Sequence, residues 1–160
     1  MALCHGGGVL VRAIAPGSDS DLASDLLSLQ RIAYACEAAL IGDDRIPPQH
    51  EGLEELVGAS LTCVGAFTEG QLVGALAYRD AIDHLDIDRL VVSPHAHRRG
   101  AGSTLVREAL HRAGPRHVLV ATGRDNHPAR VLYERLDFSH RRDEKVLPGL
   151  WIARYEHLPR

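Results

Sequence analysis

Hydrophobic residues along the chain follow two spacings, one typical of helices and one typical of strands. Between residues 22 and 36 the apolar positions recur every three or four residues: Leu22, Leu26, Leu29, Ile32, Ala33 and Cys36. This spacing predicts a helix, which a cap at Ser18, Asp19 or Ser20 begins and the turn Gly42-Asp43-Asp44 ends. Similar patterns predict helices over residues 52–57, 102–113 and 128–136.

Short apolar or alternating runs predict the strands. They lie at residues 9–13, 62–67, 72–78, 85–92, 118–121, about 138–142 and 150–156, and turn residues separate several of them. The resulting order is strand, two helices, three strands, helix, strand, helix and two strands. This order predicts an α/β or α+β fold, in which a mixed sheet has helices on both faces.

Length and charge narrow the class of protein. The chain has 160 residues, a length that predicts one domain over residues 1–160 with a substantial core. Its net charge is −3, whereas a general nucleic-acid-binding protein is distinctly basic. We therefore expect no nucleic-acid partner.

The cysteines and the first residues indicate the compartment. Cys4, Cys36 and Cys63 are odd in number and form no CxxC pair, which argues against a disulfide framework or a thiolate zinc site. The stretch MALCHGGGVLV has neither a charged leader nor a long apolar segment. We therefore expect a cytoplasmic protein with no membrane partner.

The stretch VVSPHAHRRGAGSTLV, residues 91–106, joins a predicted strand to a predicted helix. The first turn of a helix has unpaired backbone N–H groups and a partial positive charge, and Gly100 and Gly102 let an anion approach that backbone. Arg98 and Arg99 add positive charge, so the turn suits a phosphate or pyrophosphate. The alternative is an ordinary strand-to-helix turn with surface arginines, because Gly-x-Gly is a weak signal by itself.

Three other kinds of site do not fit this turn. A Walker A loop requires a lysine after its second glycine, and a Rossmann fingerprint requires a third glycine where Leu105 stands. A metal site on His95 and His97, with His84 or His111, has no carboxylate or cysteine at a suitable spacing. We therefore expect no metal.

Two segments carry longer motifs. In residues 85–106, LDIDRLVVSPHAHRRGAGSTLV, a strand ending in V-x-P precedes H-x-x-G-x-G, and residues 126–138 read NHPARVLYERLDF. Together they resemble motifs A and B of the GNAT superfamily of acetyl-CoA-dependent N-acetyltransferases, over nearly the whole chain. The resemblance implies a mixed, mostly antiparallel sheet of six to seven strands, which is splayed between the fourth and fifth strands to admit CoA.

The resemblance also implies that acetyl-CoA is a co-substrate, and it assigns residues to it. The backbone of residues 90–92 would pair with the pantetheine arm, and the glycine loop would bind the pyrophosphate. Asn126 and Ala129 would border the cofactor. The implied contacts are Leu90, Val91, Val92, His97, Arg98, Arg99, Gly100, Ala101, Gly102, Ser103, Asn126, Ala129 and Tyr133. By charge and position, Arg98, Arg99, Arg130 and Arg135 are candidates for the CoA 3′-phosphate.

Tyr133 is the implied catalytic acid, which would protonate the departing CoA thiolate. Asn126, Ala129 or Arg130, and Tyr133 fall on one face of the predicted helix. A phenol, with an ordinary pKa of about 10, can donate a proton to a thiolate. A buried core tyrosine is the alternative interpretation.

The chain departs from the family pattern at two positions. His97 stands where the family has Gln or Arg, but a site built mainly of backbone N–H groups constrains that side chain loosely, and a neutral imidazole still donates one hydrogen bond. Asp137 replaces the glycine before Phe138. Because aspartate tolerates left-handed backbone geometry, we expect this turn to be kept.

Deprotonation of the acceptor amine needs a base, since an alkylamine is mostly protonated near neutral pH. Asp86 and Asp88 lie two apart on a predicted strand and share a face, and related acetyltransferases have their base in this segment. Both are short, which favours a water relay; His84 is a third candidate. The alternative is that the carboxylates pair with Arg79, Arg89 or a nearby histidine.

The acceptor would bind beside residues 34–56, where the family varies. Asp43, Asp44, Glu51, Glu54 and Glu55 make this segment acidic, which favours a cationic amine if several of them face the cleft; a solvated face is the alternative. The resemblance implies acetyl transfer to a primary amine of a small molecule or peptide, and it is compatible with a homodimer. A non-catalytic module that binds CoA or acyl-CoA is the alternative function.

Overall fold

A computed structural model describes residues 8–45, 51–96 and 100–159. The strands are β1 Leu10–Ile14, β2 Thr62–Thr68, β3 Gln71–Asp80, β4 His84–Val92, β5 His117–Gly123, β6 Ser139–Leu147 and β7 Leu150–His157. The helices are α1 Ser20–Ile41, α2 Leu53–Gly58, α3 Ala101–Ala113 and α4 His127–Arg135. The predicted order of strands and helices is therefore confirmed.

The strands form one seven-stranded sheet in the order β1-β2-β3-β4-β5-β7-β6. Every neighbouring pair is antiparallel except β4 and β5, which run parallel. A parallel pair needs a crossover connection, and α3 supplies it. The prediction of a mixed, mostly antiparallel sheet is confirmed.

The two faces of the sheet carry separate hydrophobic clusters. On one face α1 and α2 bury Leu26, Leu29 and Leu56 against Val91 of β4. On the other face α3 and α4 pack over β2 to β5, with these residues at the centre of the cluster: Leu76, Leu85, Leu105, Val106, Val118 and Tyr133. Helices thus cover both faces, as the element order predicted.

The start and end of α1 follow from local capping chemistry. The Asp19 side chain accepts a hydrogen bond of 3.0 Å from the Leu22 N–H, so Asp19 is the cap among the three residues predicted. At the other end Gly42 adopts the left-handed conformation at φ 69°, which glycine adopts without steric cost.

Strands β4 and β5 part near their middle. Their ladder runs from His84–His117 to Ile87–Val120 and ends there, although β4 continues to Val92 and β5 to Gly123. Directly after Ile87, the register with β3 skips Asp88, which makes Asp88 the extra residue of a β-bulge. A bulge bends its strand and increases the local twist. The predicted splay between the fourth and fifth strands is confirmed.

Strand β6 is longer than predicted, because it extends to Leu147 instead of ending near residue 142. Nearly all of its residues are exposed, so the strand has no apolar face that a hydrophobic pattern could reveal. Backbone pairing with β7 defines β6 instead, as expected at the edge of a sheet.

None of the helices in the described ranges is long and apolar enough to cross a membrane.

Asp137, between α4 and β6, adopts a left-handed conformation at φ 67°. The expectation that aspartate keeps the turn of the family glycine is therefore confirmed. The turn directs the chain from α4 into the sheet, where Phe138 is buried against the Tyr133 ring at 5.5 Å between ring centroids.

Left-handed geometry at Asp137 predicts an order of stability among its variants. Asp137→Val should be less stable than Asp137→Gly by about 1–2 kcal/mol, because a side chain branched at Cβ clashes in this conformation. Urea unfolding of both variants measures the difference. Ser139, in extended backbone at the start of β6, is the control: there the valine variant should be more stable than the glycine variant. If the glycine variant were the more stable one at both positions, or the valine variant at both, the prediction would be wrong.

Candidate active site

A cavity of about 550 Å³ lies where β4 and β5 part. Residues of β4, β5, α1, α4 and the β6–β7 hairpin line it. They are Tyr34, Glu37, Ile41, Arg45, Ile87, Asp88, Arg89, Leu90, Val120, Ala121, Thr122, Gly123, Asn126, Ala129, Tyr133, Val146, Leu147, Leu150 and Ile152. The structure therefore brings Asp88, Leu90, Asn126, Ala129 and Tyr133 of the predicted site together.

Asn126 begins α4 and anchors it to β5. Its side-chain oxygen accepts a hydrogen bond of 3.3 Å from the Ala129 N–H, and its amide nitrogen donates to the Thr122 hydroxyl at 3.3 Å. This cap satisfies one of the free N–H groups at the start of the helix. As a result Ala129 and Tyr133 both face the cavity from α4.

Tyr133 is 3% exposed and lies at the floor of the cavity. Its ring packs against Phe138 and Tyr155, at 5.5 and 6.0 Å between centroids, but within the described ranges its hydroxyl makes no hydrogen bond. Burial, together with the negative charge of Glu37, raises the pKa of the phenol above its ordinary value. Tyr133 therefore stays protonated at neutral pH, and its hydroxyl proton is donated to no described residue.

The first turn of α3 approaches α4 closely. Gly100 caps the helix at φ 81°, and a Cβ added at Gly102 would lie 3.3 Å from the Leu132 side chain of α4. The missing side chain at Gly102 therefore permits this close approach, whereas a Cβ added at Gly100 would have no described atom within 4 Å. Of the remaining predicted loop residues, Ala101 is buried and Ser103 is partly exposed, whereas His97, Arg98 and Arg99 lie outside the described residues.

The second half of β4 alternates between the two faces of the sheet. Leu90 lines the cavity, Val91 is buried under α1 and α2, and Val92 packs against the cluster around α3. All three follow the bulge, on the part of β4 that β5 has left.

The two predicted bases differ in their surroundings. The Asp88 carboxylate accepts hydrogen bonds from Arg79 at 2.6 Å and Arg89 at 2.8 Å. Burial raises the pKa of this carboxyl, but the two arginines lower it by more than burial raises it. The pKa is therefore below its ordinary value. Asp86 is opposite Arg79 in the β3–β4 register and does not line the cavity. The third candidate, His84, pairs with Asp83.

Arg89 connects β4 to the segment that precedes α2. Its guanidinium donates to Glu51 at 2.7 and 3.2 Å, to Gln30 at 3.0 Å and to Asp88. The side chain is only 9% exposed, and it also lines a second cavity of about 310 Å³ between α1, α2 and strands β2 to β4. Arg89 therefore separates the two cavities and neutralises the carboxylates next to it.

The fold and these contacts agree with a comparison against known families. The profile of the acetyltransferase (GNAT) family matches residues 27–138, a range that includes α3, α4 and most of the cavity lining. The chain belongs to the GNAT acetyltransferase family.

Related proteins of this acetyltransferase are known by sequence and by structure. It is 29% identical over 143 residues to the UPF0157 protein YqkA of Bacillus subtilis, covering 89% of this chain and 42% of that protein. The chain thus spans less than half the length of that relative.

Solved structures show the same fold at low sequence identity. The ribosomal-protein-S18-alanine N-acetyltransferase of Escherichia coli aligns with a TM-score of 0.71 at 13% identity, over 94% of this chain and 93% of that one. The PaiA N-acetyltransferase of Thermoplasma acidophilum, solved with coenzyme A, aligns with a TM-score of 0.69 at 15% identity, over 94% and 99% of the two chains.

None of the five acidic residues predicted for the acceptor side lines the cavity: Asp43, Asp44, Glu51, Glu54 and Glu55. Asp43 binds Arg45, with 2.9 Å between Oδ1 and Nε, and Glu51 binds Arg89. Glu54 and Glu55 are exposed on α2 and do not line the cavity. Ion pairing and solvation, the alternative from the sequence, therefore account for the acidic residues described.

Glu37 is a site residue that the sequence did not indicate. It lines the cavity from α1 together with Tyr34 and Ile41, three residues before it and four residues after it, as expected for one helix face. Burial raises the pKa of the Glu37 carboxyl, although hydrogen bonding from Asn126 and the Gly123 backbone opposes part of this effect. Its helical spacing was visible in the sequence, but only the packing of α1 over the gap shows that this face meets the cavity.

Two of the arginine candidates for the CoA 3′-phosphate, Arg130 and Arg135, lie in α4. Arg130 donates hydrogen bonds to the Tyr155 hydroxyl at 2.8 Å and to the Arg124 carbonyl at 2.7 Å, so its guanidinium is already bonded within the fold.

Among the described residues, no three His, Cys, Asp or Glu side chains are grouped so that they could hold a metal ion.

The Arg89 network predicts a large loss of stability when its centre is removed. Arg89→Met leaves Asp88 and Glu51 partly buried without their principal cation, and it should cost about 3–5 kcal/mol of unfolding free energy. Arg79→Met is the matched control, because Arg79 bonds the same Asp88 but is 59% exposed; it should cost less than about 1 kcal/mol. Guanidinium unfolding measures both, and similar losses would contradict the assignment.

Proposed function

We propose that this acetyltransferase moves the acetyl group of acetyl-CoA to a primary amine of a small molecule or peptide, by direct attack in a ternary complex. The observation that carries the proposal is the opening between β4 and β5, where the ladder ends at Ile87 and Val120. Tyr133 lines the cavity at this opening, and its buried hydroxyl is bonded to no described residue. A thioester bound there would lie between the two strands, next to that hydroxyl.

Acetyl-CoA would bind along the part of β4 that β5 has left, beside the first turns of α3 and α4. Backbone groups of Leu90, Val91 and Val92 would pair with the pantetheine amides in the place that β5 has left. The first turn of α3, with Gly100, Ala101, Gly102 and Ser103 and the preceding His97, Arg98 and Arg99, would bind the pyrophosphate, because a helix N-terminus attracts anions. Asn126 and Ala129 would border the arm from α4.

Tyr133 would act as the general acid. When the amine attacks the thioester carbon, the C–S bond breaks and the sulfur takes the phenolic proton. Burial that raises the Tyr133 pKa keeps this proton in place before the reaction. The leaving thiolate is exposed to the same desolvation, which raises its own pKa and favours the transfer.

Asp86 and Asp88 remain the proposed bases of the β4 segment, with a water relay as the route and His84 as a third candidate. Asp88 lines the cavity, but its two arginine partners lower the pKa of its carboxyl, which weakens it as a base. Asp86 would need a chain of water molecules to reach the amine, because it lies outside the cavity lining.

Direct attack is favoured over an acetyl-enzyme by the positions of the described cysteines. Cys36 is exposed on α1, and Cys63 lines the smaller cavity beyond Arg89. Burial raises the pKa of the Cys63 thiol, an effect that Arg89 opposes and Asp88 reinforces. A thiol that holds its proton is a poor nucleophile.

Binding of acetyl-CoA should stabilise the protein. At about 100 times its Kd a ligand adds about 2.7 kcal/mol, which corresponds to a Tm increase of about 5–10 °C for a chain of this size. Differential scanning fluorimetry measures the shift, with free acetate as the control. A missing shift at millimolar acetyl-CoA would contradict the proposal. A shift in Tm without release of CoA from acetyl-CoA, whichever amine is added, would indicate the non-catalytic module.

Tyr133→Phe should lower kcat by about 10²-fold or more, because the leaving thiolate loses its proton donor. Acetyl-CoA affinity and Tm should be kept, since the lost hydroxyl makes no hydrogen bond within the described protein. CoA release and the acetyl-CoA-dependent Tm shift measure these effects.

Tyr155→Phe is the matched control for this variant. Tyr155 lies beside Tyr133, but its hydroxyl bonds Arg130 and Glu134 at 2.8 Å each. Its loss should cost about 1–3 kcal/mol of stability and leave kcat unchanged. Unchanged turnover in Tyr133→Phe would remove Tyr133 from the mechanism.

A further inference from the structure

Among the described residues that line the cavity, all charged side chains except one are paired. Asp88 binds Arg79 and Arg89, Arg89 also binds Glu51, and Arg45 binds Asp43 and the Pro148 carbonyl. Within the described ranges, Glu37 lines the same cavity without an ion pair. Its carboxylate is therefore the uncompensated negative charge that a ligand in this cavity would meet.

Glu37 lies opposite the strand opening and close to α4, the helix that carries Tyr133. A Cβ built on Gly123 of β5 would lie 3.7 Å from the Glu37 Oε1 and 2.9 Å from Ile41, so α1 rests directly on the end of β5. The Asn126 side chain, at the start of α4, lowers the pKa of the Glu37 carboxyl against the effect of burial. The negative charge of Glu37 is close enough to Tyr133 to raise the pKa of its phenol. Glu37 and Tyr133 thus border the same space from two sides.

Between Glu37 and the cavity mouth, most of the lining side chains are apolar. Ile41 continues the Glu37 face of α1, and four side chains of the β6–β7 hairpin face it: Val146, Leu147, Leu150 and Ile152. Val146 and Leu147 are 42% and 45% exposed, so the apolar wall reaches the cavity mouth. Contact with an apolar ligand group would remove these side chains from water.

We propose that Glu37 binds the ammonium group of the acceptor and accepts its proton, and that the acceptor is a primary monoamine on an apolar body, which packs against Ile41 and the β6–β7 hairpin. This inference rests on the proposed acetyl transfer, names its acceptor class, and gives the role of base to Glu37 in place of Asp86, Asp88 and His84. A second cationic group on the acceptor would meet Arg45, Arg89 or the apolar wall instead of a carboxylate. Amines with several charges are therefore disfavoured.

The proton balance of the step is complete with Glu37 and Tyr133. The ammonium gives one proton to the Glu37 carboxylate, and the neutral nitrogen then forms a bond to the thioester carbon. The C–S bond breaks, and the sulfur takes the Tyr133 proton to leave as CoA thiol. The new amide, still protonated on nitrogen, returns a proton to the Tyr133 oxygen, and Glu37 releases its proton to solvent.

The pH dependence of turnover should report the Glu37 carboxyl. Its raised pKa predicts an acidic limb in the kcat/KM profile above the ordinary range of glutamate. The other ionisable groups that line the cavity do not titrate there: Tyr34 and Tyr133 have raised pKa values, that of Asp88 is lowered, and Arg45 and Arg89 stay charged. No histidine of the described chain lines the cavity.

Glu37→Gln tests the residue, with Glu54→Gln on exposed α2 as the matched control. In Glu37→Gln, kcat/KM for butylamine should fall by about 10²-fold or more and the acidic limb should disappear, while the Tm shift with acetyl-CoA is kept. Because the folded state raises the pKa of Glu37, its ionisation opposes folding as pH rises. The amide variant should therefore equal or exceed the wild type in Tm at pH 8. Glu54→Gln should match the wild type throughout.

Three amines test the acceptor class. Hexylamine should exceed butylamine in kcat/KM, by about fourfold for each added methylene, and 1,4-diaminobutane should be at least about tenfold poorer than butylamine because its second charge is unpaired in the cavity. Unchanged turnover in Glu37→Gln, or preference for the diamine, would overturn the inference. If acetyl-CoA raises Tm but no monoamine is acetylated, the acceptor class is wrong; if acetyl-CoA causes no shift, the proposed function itself fails.

Discussion

The bulge at Asp88 is the constraint on which the site depends. Because β4 carries one extra residue there relative to β3, the strand bends, and its parallel ladder with β5 ends at Ile87 and Val120. The sheet remains continuous at one end and opens at the other. The other parts of the site are arranged around this opening: the N-termini of α3 and α4 on one face, α1 on the opposite face, and the β6–β7 hairpin at the mouth.

Electrostatic pairing decides which charges around the opening are available. Arg89 is held by Glu51, Gln30 and Asp88 and stands between the two cavities. It neutralises the carboxylates nearest to it and ties the chain before α2 to the sheet. The negative charge that remains on the cavity wall is that of Glu37, and the buried Tyr133 hydroxyl lies near it without a hydrogen bond to the described protein. One carboxylate and one phenol in a mostly apolar space are the groups expected for proton transfer.

Much of the fold and several residues that line the cavity could be predicted from local patterns. The order of elements follows from hydrophobic spacing, and the position of Tyr133 and the left-handed turn at Asp137 follow from motif B, whereas the capping of α4 by Asn126 is seen only in the structure. The extent of β6 could not be predicted in this way, because its exposed residues have no apolar period and only backbone pairing with β7 defines the strand. Pairing of Asp88 with Arg79 and Arg89 was one of two alternatives that the sequence left open, and only the structure decides for it.

The sequence by itself determined the strand and helix order, the family, and the residues of motifs A and B, because these depend on neighbours within one or two turns of the chain. Only the tertiary structure decided which ionisable groups keep their charge and which meet in one space. Glu37 and Tyr133 are nearly a hundred residues apart, and they come together because α1 and α4 pack at the same opening from opposite faces of the sheet. Distance in sequence carries no information on burial or pairing, and those two properties set the pKa values on which the proposed chemistry depends.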